Sequence, residues 1–177
     1  MKTTSILIAG FGGQGSLFAG KVLAIASLNK GLEVTWLPSY GPEMRGGTAN
    51  CSVIISDSPI GSPIVQHPDV LIALNKPSFE KYEKATKPGG IILTDANLVD
   101  IRSEREDIKA FYVNASDIAR ECGHQSLPNI ILLGKALKET GLFTAEEIQE
   151  ALYTMIPEKR ASAREKNMLA IHAGMEA

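Results

Sequence analysis

Residues 5–37 read SILIAGFGGQGSLFAGKVLAIASLNKGLEVTWL, and three elements follow one another along them. Ser5-Ile6-Leu7-Ile8-Ala9 is short and apolar with β-branched members, which predicts a buried strand. It runs into Gly10-Phe11-Gly12-Gly13-Gln14-Gly15, where residues lacking a Cβ permit a tight turn. Leu17, Phe18, Val22, Ile25 and Ala26 then recur at helical spacing, and Lys30 with Gly31 supplies a basic last turn and a permissive C-terminal cap. Glu33 to Leu37 predicts the second strand. Strand, glycine turn, helix and strand in this order open an α/β domain.

Further along, Asn50 to Ser56, Val70 to Leu74, Ile91 to Thr94 and Ala110 to Val113 predict four more strands, and Pro77 opens a helix that ends before Lys87-Pro88-Gly89-Gly90. Pro38 to Ala49 reads as a loop, and Ser58 to Pro68 as a connection with a short edge strand near Ile64. Asp95 to Asp107 is a polar excursion. The remainder is helical: Ser116 to Cys122, Pro128 to Thr140 ending at Gly141, a helix behind the Thr144 and Glu147 capping box, and a last helix from Ala161 to His172. The expected fold is one domain over residues 1–177, a three-layer α/β/α sandwich of Rossmann-like type with a helical C-terminal part. The successive strands on either side of the Pro38 to Ala49 loop predict a mixed sheet.

At 177 residues such a domain buries roughly 70% of the surface its unfolded chain exposes. A net charge of -2 and a pI near 5.9 supply no broad cationic field, so nucleic acid is not an expected partner. Four apolar residues before Gly10 are too few for a signal peptide, and no stretch approaches a membrane span, so the expected location is cytoplasmic. Cys51 and Cys122 lie far apart and outside any CxxC pair; both are expected to be reduced core thiols, and neither a zinc knuckle nor an iron–sulfur cluster is expected. His67, His124 and His172 share no motif and read as surface histidines.

Gly10, Gly12, Gly13, Gln14 and Gly15 form the candidate cofactor-binding turn. The G-x-G-x-x-G spacing lets backbone amides approach a phosphate at a helix N-terminus. A dinucleotide site also wants an acid at the end of the second strand, and here that strand ends Thr35-Trp36-Leu37-Pro38. Dinucleotide binding, binding of another phosphate and a purely structural turn therefore all stay open. Asp95, Asn97, Asn75 and Lys76 follow strand ends, where open α/β sheets place ligand contacts; strand-ending turns explain them equally.

A second segment, SYGPEMRGGTANC at residues 39–51, sets an aromatic, an acid and an arginine among glycines, as a recognition loop requires. An ordinary turn with a Glu43–Arg45 ion pair is the plainer reading. With GFGGQG, ALNKPSFEKY at Ala73 to Tyr82 and LPNIILLGKAL at Leu127 to Leu137, this segment resembles the gamma subunit of the pyruvate/2-oxoacid:ferredoxin oxidoreductases. RGGTAN is closer to the 2-oxoglutarate and branched-chain members than to the pyruvate members.

The resemblance implies a subunit of an enzyme that oxidatively decarboxylates a 2-oxoacid, 2-oxoglutarate first among them, to an acyl-coenzyme A while reducing ferredoxin. It implies alpha and beta partner subunits, with a delta subunit in four-subunit forms, which would carry the thiamine diphosphate, Mg and iron–sulfur clusters. No catalytic residue or metal ligand is expected on this chain, and coenzyme A enters as co-substrate. Tyr40, Glu43, Arg45, Gly46 and Gly47 are the expected partner interface. The reading from a different class is a free-standing nucleotide- or flavin-binding oxidoreductase.

Overall fold

A computed structural model describes residues 3–40 and 48–177, Tyr40 by its backbone alone. Its strands are β1 (Thr4–Phe11), β2 (Glu33–Tyr40), β3 (Thr48–Ser56), β4 (Val70–Ala73), β5 (Ile91–Asp95) and β6 (Lys109–Val113). Its helices are α1 (Ser16–Asn29), α2 (Lys76–Tyr82), α3 (Ala115–Glu121), α4 (Pro128–Thr140), α5 (Ala145–Met155) and α6 (Ala161–Glu176). The strands form one mixed sheet in the order β2-β3-β1-β4-β5-β6. β1, β4, β5 and β6 run parallel, while β3 is antiparallel to both β1 and β2.

The sheet's two faces are covered unequally. Ile6, Ile8, Val53, Ile55, Ile72 and Leu93 join the side chains of α1 and α3 to α6 in one large core, apart from the short α2. Leu7, Leu71, Ala73 and Ile92 face the other way, under Phe79 of α2 and Val99 of the segment after β5. Alternation of neighbours to opposite faces follows from the pleat, and burial on both sides is why β1 and β4 read as unbroken apolar runs. The first half of helix α4 is apolar nearly all round, with Ile130, Ile131, Leu132 and Leu133 all fully buried, because it lies between the sheet and α6. Each such side chain contributes about 1.5–3 kcal/mol of burial.

Several local expectations need correction. Strand β2 does not stop at Leu37 but continues through Pro38 to Tyr40, pairing Pro38 with Cys51 and Tyr40 with Ala49. A proline is tolerated because β2 is the sheet's edge, where one row of N–H groups has no ladder to join. Strand β3 likewise begins at Thr48, which shortens the expected loop from both ends. No strand forms near Ile64, which is 65% exposed. Helix α6 runs four residues past His172 to Glu176, because it is held by packing on α4. Cys51 is fully buried, and burial pushes its thiol up to about 12, against the opposing hydrogen bonds from Trp36 and Gly20. Cys122, in contrast, is only partly buried at the end of α3.

The capping box is present as read: Thr144 Oγ1 accepts from Glu147 N at 3.3 Å, and Glu147 Oε2 accepts from Thr144 N at 2.9 Å. A second polar clamp ties the entrances of two parallel strands together. Asp69 Oδ2 accepts from Ser5 N at 2.7 Å and from Ser5 Oγ at 2.6 Å, and Oδ1 pairs with Lys87 Nζ at 2.8 Å. Burial alone would raise the Asp69 pKa, but hydrogen bonds from Lys87 and Ser5 outweigh it and the net direction is down. A carboxylate depressed in the folded state stabilises above its unfolded pKa of about 3.9 and loses that contribution as pH falls through its folded pKa. Thermal unfolding followed against pH is therefore expected to weaken below about pH 4, and Asp69→Asn to lower stability at neutral pH while flattening that acid limb. An unchanged acid limb in Asp69→Asn would contradict this.

Candidate functional site

The glycine turn sits at the C-terminal end of β1, beside the ends of β4 and β5, in the crevice where open parallel sheets bind ligands. Its glycines serve different purposes. A Cβ on Gly10 would press within 2.9 Å of Leu74 Cβ and 2.7 Å of Gln14 Oε1, so this position is small because β1 and the end of β4 approach closely. Gly13 and Gly15 have φ of 96° and 80°, the left-handed region that glycine enters without steric cost. A Cβ on Gly15 would in addition overlap the Asn129 side-chain amide, whereas one on Gly13 would meet open space.

Gln14, read from the sequence as a ligand contact, spends its side chain on the turn itself. Oε1 accepts from Phe11 N at 2.6 Å and from Asn75 Nδ2 at 2.8 Å, while Nε2 donates to Leu74 O at 3.0 Å. Asn75 in turn caps α2, its Oδ1 accepting from Ser78 N at 2.9 Å. These bonds hold the turn against the end of β4. What the turn leaves open is backbone: α1 starts after Gly15 with no side-chain cap, and the first N–H groups of a helix have no intrahelical acceptor. Such a start favours negative charge.

A cavity of about 240 Å³ opens beside the turn, with Gly13, Gln14, Leu74, Asp95, Ser116 and Asn129 in its wall. Asp95 is 1% exposed at the end of β5; its Oδ1 accepts from Asn97 N at 3.1 Å and Ser116 N at 3.3 Å, and its Oδ2 accepts from Ser116 Oγ. Asn129 in the first turn of α4 donates from Nδ2 to Gly15 O at 3.1 Å, so the N-terminal turns of α1 and α4 are tied together. Sequence reasoning placed Asp95 and Asn97 at a strand end but missed Ser116, Gln125, Ser126 and Asn129 as walls of the same cavity. The available signal was the pair Pro128-Asn129 opening a helix, with a polar run before it. Lys76 turns away to pair with Asp100 at 2.7 Å.

Of the expected interface residues, Glu43, Arg45, Gly46 and Gly47 lie outside the described residues, as does the side chain of Tyr40. The strand ends that carry their segment, Tyr40 and Thr48, are next to the turn, since Thr48 pairs with Phe11 of β1. His67 is exposed with Nδ1 3.1 Å from Ala85 O. Among the described residues no group of three or more His, Cys, Asp or Glu side chains could hold a metal ion. No helix among them is long and apolar enough to cross a membrane.

The turn's geometry sorts its glycines experimentally. Gly13→Ala is expected to cost about 1–2 kcal/mol from the left-handed backbone alone, and Gly15→Ala measurably more because its methyl also displaces Asn129. Thermal denaturation of both variants checks the order. Equal losses would remove the Asn129 contact from the argument.

A profile of the family described as pyruvate ferredoxin/flavodoxin oxidoreductase matches residues 5–177. Ketoisovalerate oxidoreductase subunit VorA of Methanothermobacter marburgensis is 45% identical over 139 residues, which are 77% of this chain and 29% of that protein. The chain thus spans about a third of the length of that relative. The solved keto/oxoacid ferredoxin oxidoreductase gamma subunit of Geobacter sulfurreducens PCA superposes with a TM-score of 0.86 at 30% identity, covering 99% of this chain and 96% of that one. The 2-oxoglutarate:ferredoxin oxidoreductase of Magnetococcus marinus, solved with 2-oxoglutarate, coenzyme A and succinyl-CoA bound, superposes with a TM-score of 0.89 at 25% identity, over 99% of this chain and 31% of that one.

Proposed function

Because the chain belongs to the pyruvate ferredoxin/flavodoxin oxidoreductase family, we propose that it serves as the gamma subunit of a 2-oxoacid:ferredoxin oxidoreductase. That enzyme would oxidise and decarboxylate a 2-oxoacid, pass the electrons to ferredoxin and transfer the acyl group to coenzyme A. The observation that carries this reading is the likeness to a solved gamma subunit over nearly the whole of both chains. The role of this chain is structural and coenzyme-directed. Alpha and beta subunits hold thiamine diphosphate, Mg and the iron–sulfur clusters, and the loop with Tyr40, Glu43, Arg45, Gly46 and Gly47 docks against them.

The backbone of the Gly10 to Gly15 turn and the uncapped start of α1 receive a phosphate of coenzyme A. Support comes from the two left-handed glycines, the missing side-chain cap and the adjoining cavity. Gln14 contributes by holding the turn. 2-Oxoglutarate is the preferred substrate, on the RGGTAN segment at residues 45–50 and the likeness to an enzyme solved with that acid. The test is the substrate panel of the complex reconstituted from its subunits, followed by reduction of a viologen dye. At equal concentrations 2-oxoglutarate is expected to give the highest kcat/KM, and higher values for pyruvate or 3-methyl-2-oxobutanoate would overturn the substrate assignment.

A further inference from the structure

We propose that Asn75 is a positioning residue for coenzyme binding: acting through Gln14, it fixes the backbone amides of the glycine turn in the arrangement that receives the phosphate. This rests on the coenzyme reading of the turn and adds to it a residue at the start of α2, far along the chain.

The direction of every bond between Asn75 and the turn is dictated from two ends. A backbone N–H only donates, so Phe11 N requires the oxygen of the Gln14 amide, at 2.6 Å. Gln14 Nε2 is then left to donate to Leu74 O at 3.0 Å. At the other end Ser78 N requires Asn75 Oδ1, at 2.9 Å, and Asn75 Nδ2 is left to donate to Gln14 Oε1 at 2.8 Å. Turning either amide over would set donor against donor at Phe11 or at Ser78. Asn75 is 3% exposed, so water is poorly placed to substitute for a bond it loses. Its own place is rigid, between the end of β4, where Leu74 N donates to Ala9 O at 2.8 Å, and α2, whose Phe79 is packed in the second core. The turn needs such an anchor. Gly13 is exposed with φ of 96°, nothing packs where its Cβ would stand, and glycine loses the most freedom when ordered. A binding loop that is competent only part of the time loses affinity in that proportion.

Asn75→Ser and Asn75→Ala separate the two things Asn75 does. Serine keeps a cap oxygen for α2 and alanine does not, while neither carries the amide N–H that Gln14 receives. In the complex reconstituted from its subunits, both variants are expected to raise the KM for coenzyme A about fivefold, the worth of one hydrogen bond. The kcat at saturating coenzyme A and the KM for 2-oxoglutarate should stay within about twofold, since a residue that only orders the coenzyme turn leaves both alone. Asn75→Ala should melt roughly 2–4 °C below Asn75→Ser, the difference due to the cap. Gln14→Ala removes three bonds and should raise the same KM about tenfold or more. Adding Asn75→Ser to it should change that KM by less than about twofold, because the residue it acts through is gone. An unchanged KM for coenzyme A in Asn75→Ser, or a fivefold effect that persists in the Gln14→Ala background, overturns the proposal. Coenzyme A titrated into the native full chain labelled with 15N tells that failure from failure of the coenzyme reading. Shifts at Gly12 to Leu17 beside an unmoved KM in Asn75→Ser leave the coenzyme reading standing and remove this one. No shift at those residues removes the coenzyme reading, and this proposal with it.

Discussion

Gly174→Ala is expected to lower the chain's stability by about 3 kcal/mol, near the upper end for overpacking a core, and its melting temperature by roughly 6–12 °C for a chain of this size. Helices α4 and α6 cross with backbone against backbone. A Cβ on Gly174 would overlap the carbonyl oxygen of Ile131, and one on Gly134 the carbonyl oxygen of Ile171. The obstacles are main-chain atoms of helices packed into the central core, so relief requires moving one helix away from the other. Ile131 and Ile171 are both fully buried, and separating the helices would open gaps around them and forfeit dispersion contacts on both sides. Alanine's better helix propensity returns less than 1 kcal/mol. Gly61 has open space around the position of a Cβ, so Gly61→Ala is the control and should leave the melting temperature within a degree or two. Equal melting temperatures for Gly174→Ala and the native chain would mean that the helices do not cross this closely.

Arg45→Ala is expected to weaken association with the partner subunits by roughly thirtyfold, about 2 kcal/mol, the loss typical of a truncated interfacial arginine. Unfolding of the chain by itself should hardly change. The guanidinium offers a planar fork of donors to a carboxylate or to backbone carbonyls, and Pro42 limits the freedom that the loop gives up on docking. The described strand ends on either side of this segment, Tyr40 and Thr48, lie next to the glycine turn, through the pairing of Phe11 with Thr48 and of Tyr40 with Ala49. Binding measured with immobilised partner subunits, alongside thermal unfolding, separates the two roles. Native association together with a destabilised lone chain would make the segment a structural turn.

Elements marked by local chemistry were legible in the sequence. The start of β1, glycine turn and α1, Gly141 at the end of α4 with φ 64° and the Thr144 capping box are dictated by neighbours within a few residues, and each stands where the pattern put it. The mixed sheet was legible too, from two strands with no helix between them. What escaped depends on partners far along the chain. Pro38 looks like a strand terminator until β2 is known to be an edge, and nothing in residues 33–40 says so. Helix α6 is marked in the sequence by its basic Arg164 and Lys166, yet Ala163, Asn167, Ala170 and Gly174 form a small-residue and polar stripe, whose meaning depends on α4 lying against it. The cavity is the same kind of case: Asp95, Ser116 and Asn129 are brought together only by the sheet order. Gln14 was legible as important but not as internal, since its partners Leu74 and Asn75 are sixty residues away.

The central claim, that this chain works as a gamma subunit with coenzyme A, is tested most directly by leaving it out. Partner subunits coexpressed with and without this chain are purified through a tag on a partner, and 2-oxoglutarate-dependent reduction of a viologen dye is followed with and without coenzyme A. The account predicts that the chain copurifies with its partners and that coenzyme A-dependent turnover falls at least a hundredfold, about 2.7 kcal/mol of transition-state stabilisation, when it is omitted. Full coenzyme A-dependent turnover by the partners alone, or turnover by this chain alone, would contradict it.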